Sequence, residues 1–84
     1  MYEIEFHTRA TKFLKKQNKQ IRNRLLRIIY VLKLNPYPIG SKGILPDKNK
    51  LRIRIGKIRI LYTIFKDENV IFIVDIDYRG RVYK

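Results

Sequence analysis

The chain has 84 residues, with 20 lysines and arginines against 7 aspartates and glutamates, which gives a formal net charge of +13. Its length fits one small domain over residues 1–84. Its 45% of hydrophobic residues can build a core, which excludes a disordered basic tail. No apolar run reaches the roughly 18–20 residues that a membrane span needs. The absence of cysteine excludes disulfides and Cys-based zinc sites.

The positive charge is concentrated in one part of the chain. Between Phe6 and Pro46 there is no acid. Such self-repulsion is tolerated mainly when the partner is a polyanion, and nucleic acid is the leading candidate. An acidic protein or an anionic membrane surface would also fit, whereas solubility alone needs a net charge of only about 2–8. The first residues lack the apolar core of a signal peptide, so we expect a cytoplasmic protein.

The first half of the chain predicts a strand and two helices. Residues 2–7 alternate apolar and polar side chains, which is typical of a half-buried strand. Thr8 is a candidate N-cap for a first helix that ends near Asn18, and a second helix is predicted over residues 19–34. An Asn-Pro pair ends this helix, and residues 35–50 are predicted to form a loop. The apolar stripe of the second helix consists of Ile21, Leu25, Ile28, Ile29 and Leu32.

The second half predicts three strands, over residues 51–55, 58–65 and 70–77. We expect a two-residue turn between the first two and a three-residue turn, residues 67–69, between the last two. In the first hairpin these turn lengths pair Ile55 with Ile58, Ile53 with Ile60, and Leu51 with Tyr62. In the second hairpin they pair Tyr62 with Val74, Ile60 with Ile76, and Ile64 with Phe72.

This register makes one face of the sheet apolar throughout. The predicted fold class is therefore α+β: a two-helix hairpin packs on one face of an antiparallel sheet made of the three C-terminal strands. The N-terminal strand joins that sheet at a position that the sequence does not fix.

The other face of the sheet is predicted to be strongly charged, with Arg52, Arg54, Lys57, Arg59, Asp75, Asp77 and Arg79. Arg54 falls directly opposite Arg59, and facing like charges destabilise a sheet by some tenths of a kcal/mol. A phosphate between the two would fit, because the guanidinium fork matches phosphate oxygens. A solvated face balanced by its aspartates is the alternative. Four apolar residues on this face need a cover, either a partner or loop 35–50: Leu61, Phe65, Ile71 and Ile73.

The order of these segments resembles the RelE/ParE toxin superfamily, and its RelE branch in particular. The matching pieces are FLKK (13–16), LRIRIGKIRILY (51–62), which contains Arg-x-Arg-x-Gly-x-x-Arg, and YRGRVY (78–83). The resemblance covers nearly the whole chain. It implies a type II toxin that cleaves mRNA in the ribosomal A site, uses no cofactor, and is neutralised by an acidic, RelB-like antitoxin.

The resemblance also implies roles for individual residues. It places Arg52, Arg54, Arg59, Arg79 and Tyr83 at catalytic or phosphate-binding positions. We expect further contacts to nucleic acid from Lys57, Arg81, Lys12, Lys15, Lys16 and Arg22.

These residue types suit metal-independent RNA cleavage, in which the 2′-OH attacks the adjacent phosphate. Arginines can stabilise the phosphorane, and one preorganised donor is worth roughly 3–4 kcal/mol. Tyr83 is the first candidate for proton transfer, although a phenol with a pKa near 10 needs nearby cations to act as a base. It could instead be a packing aromatic. Arginine cannot be the base because it stays protonated, so Lys57 and Lys50 are the other candidates.

Weaker features leave other interpretations open. His7 is expected to be a surface histidine, and Asp75 with Asp77 could hold Mg²⁺ only in competition with the arginines around them. Two other functions remain candidates. One is a ParE-like inhibitor of DNA gyrase, and the other is a non-catalytic RNA-binding or ribosome-binding module that uses the basic face only for phosphate contacts.

Overall fold

A computed structural model describes residues 1–44 and 47–78. The elements are β1 (Glu3–Phe6), α1 (Thr8–Lys16), α2 (Lys19–Leu34), β2 (Lys42–Ile44), β3 (Asp47–Ile55), β4 (Ile58–Phe65) and β5 (Val70–Tyr78). Within these residues the strands form one sheet in the order β1-β5-β4-β3-β2. β1 runs parallel to β5, and the other neighbours are antiparallel. The α+β prediction is confirmed, with the sheet mixed rather than purely antiparallel.

The two helices form as the sequence predicts, with a correction to the first cap. The N-cap of α1 is His7 rather than Thr8, because the His7 ring Nδ1 accepts the backbone N–H of Arg9 at 3.1 Å. Helix α2 spans the predicted residues, and the Asn18 side chain caps it by accepting the N–H of Ile21 at 2.9 Å. No helix in the described part of the chain has the length and apolar character to cross a membrane.

The core lies between the helices and one face of the sheet. Helix α2 contributes the buried side chains of Leu25, Ile29 and Leu32, in agreement with its predicted stripe. Tyr62 is fully buried, and its hydroxyl donates to the carbonyl of Pro36 at 2.8 Å. This hydrogen bond ties the segment after α2 to the middle of the sheet. The strand residues of the core cluster are Leu51, Ile53, Ile55, Ile58, Ile60, Tyr62, Ile64, Ile71, Ile73 and Ile76.

The prediction of a loop over residues 35–50 is wrong in part. Residues 42–44 form the edge strand β2, and β3 begins at Asp47 rather than at Leu51. Residues 47–49 are exposed and polar, so they carry none of the apolar alternation that marked the rest of the strand. Gly43 pairs with Leu51 although glycine is depleted in strands.

The first hairpin has the predicted register. Ile55 pairs with Ile58, and Ile53 with Ile60. Gly56 begins the two-residue turn with a φ of 59°, in the left-handed region that glycine adopts without strain. A positive φ at the first central residue but not at the second, Lys57, is the pattern of a type II′ hairpin turn, whose twist matches that of the strands.

The second hairpin departs from the predicted register over half its length. Phe65 pairs with Val70 across a four-residue turn, so Ile64 lies opposite Ile71, and Tyr62 lies opposite Ile73. The predicted pairs of Tyr62 with Val74 and of Ile64 with Phe72 are therefore wrong. A β-bulge then restores the predicted pairing of Ile60 with Ile76. As a result Ile71 and Ile73 lie in the core and not on the charged face.

Candidate nucleic-acid interface

The sheet face turned away from the helices brings arginines of β3 and β4 together. We call it the arginine face and define it by Arg52, Arg54, Arg59, Asp75 and Asp77. Arg54 lies directly opposite Arg59, as the sequence predicted, and Arg59 lies opposite Asp77 on the next strand. Neighbouring strands are about 4.8 Å apart. The guanidinium groups of both arginines can therefore reach one phosphate between them.

The pairing of Arg54, Arg59 and Asp77 forms one row of side chains across the arginine face, and a second row lies beside it. Arg52 lies opposite Leu61, which in turn lies opposite Asp75. Leu61 is only 7% exposed although it faces away from the main core. Lys42 of the edge strand pairs with Arg52 and extends this row by one more cation. The arrangement offers an anion several charge-assisted donors from three adjacent strands.

The two carboxylates of this face are both half-buried, but they face different residues across the strands. Burial raises the pKa of Asp75 above the ordinary value, while the positive charge of Arg9 and a hydrogen bond from the Ile76 N–H act in the opposite direction. Asp77 faces a guanidinium directly, and its Oδ1 accepts the N–H of Tyr78 at 2.8 Å. The sequence assigned both aspartates the same counter-charge role, because it gives no signal of the bulge that places Asp75 opposite Leu61 and Asp77 opposite Arg59.

The other described residues predicted to bind nucleic acid lie elsewhere. Lys57 is exposed in the turn of the first hairpin, next to the Arg54 and Arg59 pair. Helix α1 packs through Ala10 and Leu14 on the opposite side of the sheet, and its exposed lysines form a separate basic surface there: Lys12, Lys15 and Lys16. Arg22 is half-buried near this surface, and its Nη1 donates to the carbonyl of Gln17 at 3.1 Å.

Three predicted site residues, Arg79, Arg81 and Tyr83, lie outside the described residues. The preceding strand, β5, is held in place by contacts that no sequence pattern predicted. The Tyr78 ring meets the Phe13 ring edge-on, with centroids 5.5 Å apart, and its hydroxyl lies 3.5 Å from the Gln17 side-chain oxygen. The end of β5 is thereby attached to α1.

His7 has a structural role rather than that of a simple surface residue. Besides capping α1, its ring Nδ1 accepts from Nε of Arg9 at 3.3 Å and its ring lies edge-on to Phe72, with centroids 6.2 Å apart. Residues 1–44 and 47–78 contain no cluster of three or more His, Cys, Asp or Glu side chains placed to hold a metal ion.

Comparisons with known proteins agree with this geometry. Residues 4–83 match the family described as "ParE toxin of type II toxin-antitoxin system, parDE". A Methanocaldococcus jannaschii protein named "Putative toxin RelE1" is 31% identical over 86 residues, which cover 99% of this chain and 96% of that protein. The chain therefore belongs to the RelE/ParE toxin superfamily, and the resemblance to its RelE branch is confirmed.

Solved structures show the same architecture. The archaeal RelE-RelB complex from Pyrococcus horikoshii OT3 contains a chain with a TM-score of 0.84 and 25% identity, covering 95% of this chain and 97% of that one. The intact Escherichia coli RelBE toxin-antitoxin complex gives a TM-score of 0.82 at 18% identity, covering 96% of this chain and 100% of that one. At that identity the second match shows the fold alone. The chain is a RelE-family toxin of a toxin-antitoxin system.

Proposed function

We propose that this toxin is a ribosome-dependent endonuclease that cleaves mRNA in the ribosomal A site without a metal ion. The observation that carries the proposal is the direct cross-strand pairing of Arg54 and Arg59, with Arg52 in the neighbouring row. Like charges placed opposite each other oppose the sheet, and an RNA phosphate between them would turn this repulsion into binding. We also propose that residues 1–84 act as one toxin domain in the cytoplasm.

The proposed chemistry is attack of the 2′-oxygen on the adjacent phosphorus, with departure of the 5′-oxygen. The pentacoordinate phosphorane carries an additional negative charge, which we assign to the guanidinium groups of Arg52, Arg54 and Arg59, with Arg79 as a fourth. Preorganised donors of this kind are the largest single contribution in many enzymes. Tyr83 takes part in proton transfer, and alignment of the RNA comes from the ribosome.

The exposed lysines of α1 are proposed to hold the toxin on ribosomal RNA. Lys12, Lys15 and Lys16 lie on the opposite side of the sheet from the arginine face, so they cannot contact the same phosphate. Contacts to the RNA backbone supply affinity that falls as the salt concentration rises. Arg22, Lys57 and Arg81 are proposed to add contacts of the same kind.

We propose that the partner in the cell is an acidic, RelB-like antitoxin that docks on α2. Four large apolar side chains of this helix are 40–58% exposed: Leu26, Tyr30, Val31 and Leu34. Contiguous exposed apolar patches often mark partner sites. It is flanked by Arg27 and Lys33 in a segment without acids, so an acidic amphipathic helix fits it. A second copy of the toxin would instead bring like charges together.

The test of the proposed reaction uses translating ribosomes with a defined mRNA. Wild-type toxin is expected to cut the message within the A-site codon, and Arg59→Ala is expected to lower the rate by about 10²–10³-fold. Tyr83→Phe is also expected to abolish growth arrest. Lys48→Ala removes an exposed positive charge elsewhere on β3 and serves as the matched control, which should cut like the wild type.

Each alternative function predicts a different result. Undiminished toxicity of both Arg59→Ala and Tyr83→Phe would contradict the nuclease proposal. Intact messages together with a DNA damage response would favour a gyrase inhibitor. Intact messages and intact DNA, with arginine variants that only weaken ribosome binding at low salt, would favour a non-catalytic binding module.

A further inference from the structure

A β-bulge in β5 determines which way Asp75 faces. Leu61 pairs with Asp75, whereas the next residue of β4, Tyr62, pairs with Ile73, so Val74 is the extra residue of the bulge. Ile71 and Ile73 point into the core, and strict alternation would turn residue 75 to that side as well. The bulge instead places Asp75 on the arginine face and returns Ile76 to the core. Bulges are over-represented next to active sites, where they redirect a side chain.

The redirected carboxylate lies beside the arginine pair rather than within it. Asp75 is separated from Arg52 by Leu61 alone, and Arg59 with Asp77 forms the adjacent row. With strands about 4.8 Å apart, a phosphate held by Arg54 and Arg59 would place its ribose within reach of Asp75. The side chain of Leu61, which is only 7% exposed, lies across the strands from Asp75.

Among the five residues that define the arginine face, Asp75 is the group best suited to accept a proton. The arginines stay protonated at all working pH values. Asp77 lies directly opposite Arg59, whereas Asp75 lies opposite the apolar Leu61, and each carboxylate accepts a backbone N–H from the residue that follows it. Burial raises the pKa of Asp75, which strengthens it as a proton acceptor.

We propose that Asp75 is the general base of the cleavage reaction, an inference that rests on the nuclease function proposed above. The Asp75 carboxylate takes the proton of the 2′-OH while the 2′-oxygen forms its bond to phosphorus. The bond from phosphorus to the 5′-oxygen then breaks, and the 5′-oxygen takes a proton from Tyr83. The products are a 2′,3′-cyclic phosphate and a 5′-hydroxyl end, and exchange with water restores both protein groups.

Several charged or titratable groups around Asp75 will shape the pH dependence of this step. They come from the start of α1, from β5 itself and from the two strands across the sheet: His7, Arg9, Asp77, Arg59 and Arg52. With Asp75 as the base, the cleavage rate should fall on the acidic side as the carboxyl becomes protonated. Replacing the carboxyl should remove this limb of the profile.

The experiment measures single-turnover cleavage of ribosome-bound mRNA from pH 9 down to pH 4. Asp75→Asn keeps the shape of the side chain and is expected to slow cleavage by about 10²–10⁴-fold at unchanged ribosome affinity, with no acidic limb. Asp75→Glu should retain much of the rate and show a displaced acidic limb. Glu68→Gln makes the same charge change in the exposed turn before β5 and is expected to match the wild type.

A second substrate distinguishes loss of the general base from loss of the general acid. An mRNA with sulfur in place of the bridging 5′-oxygen has a leaving group that needs no proton. Tyr83→Phe should regain activity on this substrate, and Asp75→Asn should stay slow. A purely structural role for Asp75 would not produce this difference between the two variants.

The outcomes distinguish the inference from the function on which it rests. Wild-type toxin that leaves ribosome-bound messages intact would overturn both. Active wild type together with Asp75→Asn at a similar rate and with the same pH profile would overturn the role of Asp75 alone. If Asp75→Asn does not fold, as judged by its circular dichroism, then Asp75→Glu decides, because an undisplaced acidic limb would also overturn the role.

Discussion

The two hairpins of the sheet share β4, yet different features set their registers. In the first hairpin a two-residue turn at Gly56 sets an uninterrupted ladder between β3 and β4. In the second, a four-residue turn shifts the ladder by one residue, and the bulge at Val74 shifts it back. The pairing of Ile60 with Ile76 is therefore the same with or without the two irregularities. Only the segment between them changes its face.

The bulge follows from the spacing of the isoleucines in β5. Ile71 and Ile73 are two residues apart, but Ile76 is three residues further along, and all three are fully buried. A regular strand cannot place this spacing on one face, because its side chains alternate with a period of two. The bulge lets all three isoleucines face the core, and it places Asp75 on the arginine face. The irregular hairpin thus carries a candidate catalytic group that the regular one lacks.

The largest expected effect is a loss of stability, in variants that show which residues of the bulged segment face the core. Ile73→Ala removes a fully buried side chain and should destabilise the fold by about 2–5 kcal/mol. Val74→Ala changes a half-buried residue in the bulge and should cost about 1 kcal/mol or less. Urea denaturation of both variants measures the difference.

A larger loss of stability in Val74→Ala than in Ile73→Ala would contradict the observed register. A ladder without the bulge pairs Tyr62 with Val74 and turns Ile73 outward. In that case Val74→Ala would be the more costly change. Ile71→Ala serves as the positive control, because Ile71 is fully buried beside Ile64 in the observed register.

Sequence patterns predict the regular parts of the fold well, for a physical reason. The stripe of α2 and the alternation of β3 and β4 record which side chains are buried, and a two-residue turn leaves a single register for the first hairpin. These features were enough to place Arg54 opposite Arg59. The core face and the arginine pair therefore follow from local patterns alone.

The remaining features depend on contacts that local patterns do not record. The edge strand β2 is exposed and short, and β3 begins in polar residues. Neither segment therefore shows the alternation of apolar and polar side chains that predicts a strand. The parallel position of β1 depends on its pairing with β5, almost seventy residues away. The placement of Asp75 opposite Leu61, and of Asp77 opposite Arg59, depends on the bulge at Val74. The assignments of Arg79, Arg81 and Tyr83 stay predictions.

A smaller effect on stability is expected from a change at Tyr62, on the strand that the two hairpins share. Tyr62→Phe removes the hydroxyl that donates to Pro36 and leaves a buried carbonyl without this donor, which should cost about 1–3 kcal/mol near neutral pH. Burial raises the pKa of Tyr62 to about 12, so the folded protein holds this proton more tightly than the unfolded chain. The advantage of the wild type over Tyr62→Phe should be complete below pH 10 and shrink as the pH rises through about 12.

The pH dependence is best measured as the difference between the two proteins. Lysines titrate in the same range, but they are common to both proteins and cancel in the difference. Stability curves in urea at pH 8, 10 and 11 give this difference directly. A constant difference across that range would contradict a protonated, buried Tyr62, and a larger difference at high pH would contradict the sign.

The smallest expected effect tests the turn that keeps the first hairpin regular. Gly56→Ala places a side chain at a φ of 59°, where nothing lies within 4 Å of the added Cβ, so the cost should be backbone strain alone, about 1 kcal/mol. Gly43→Ala is the matched control, because Gly43 has equally open space and no positive φ, and it should cause no loss of stability. Equal stability of the two variants in urea would mean that the turn tolerates alanine by changing its type. The Arg54 and Arg59 pairing would then depend on the strands rather than on Gly56.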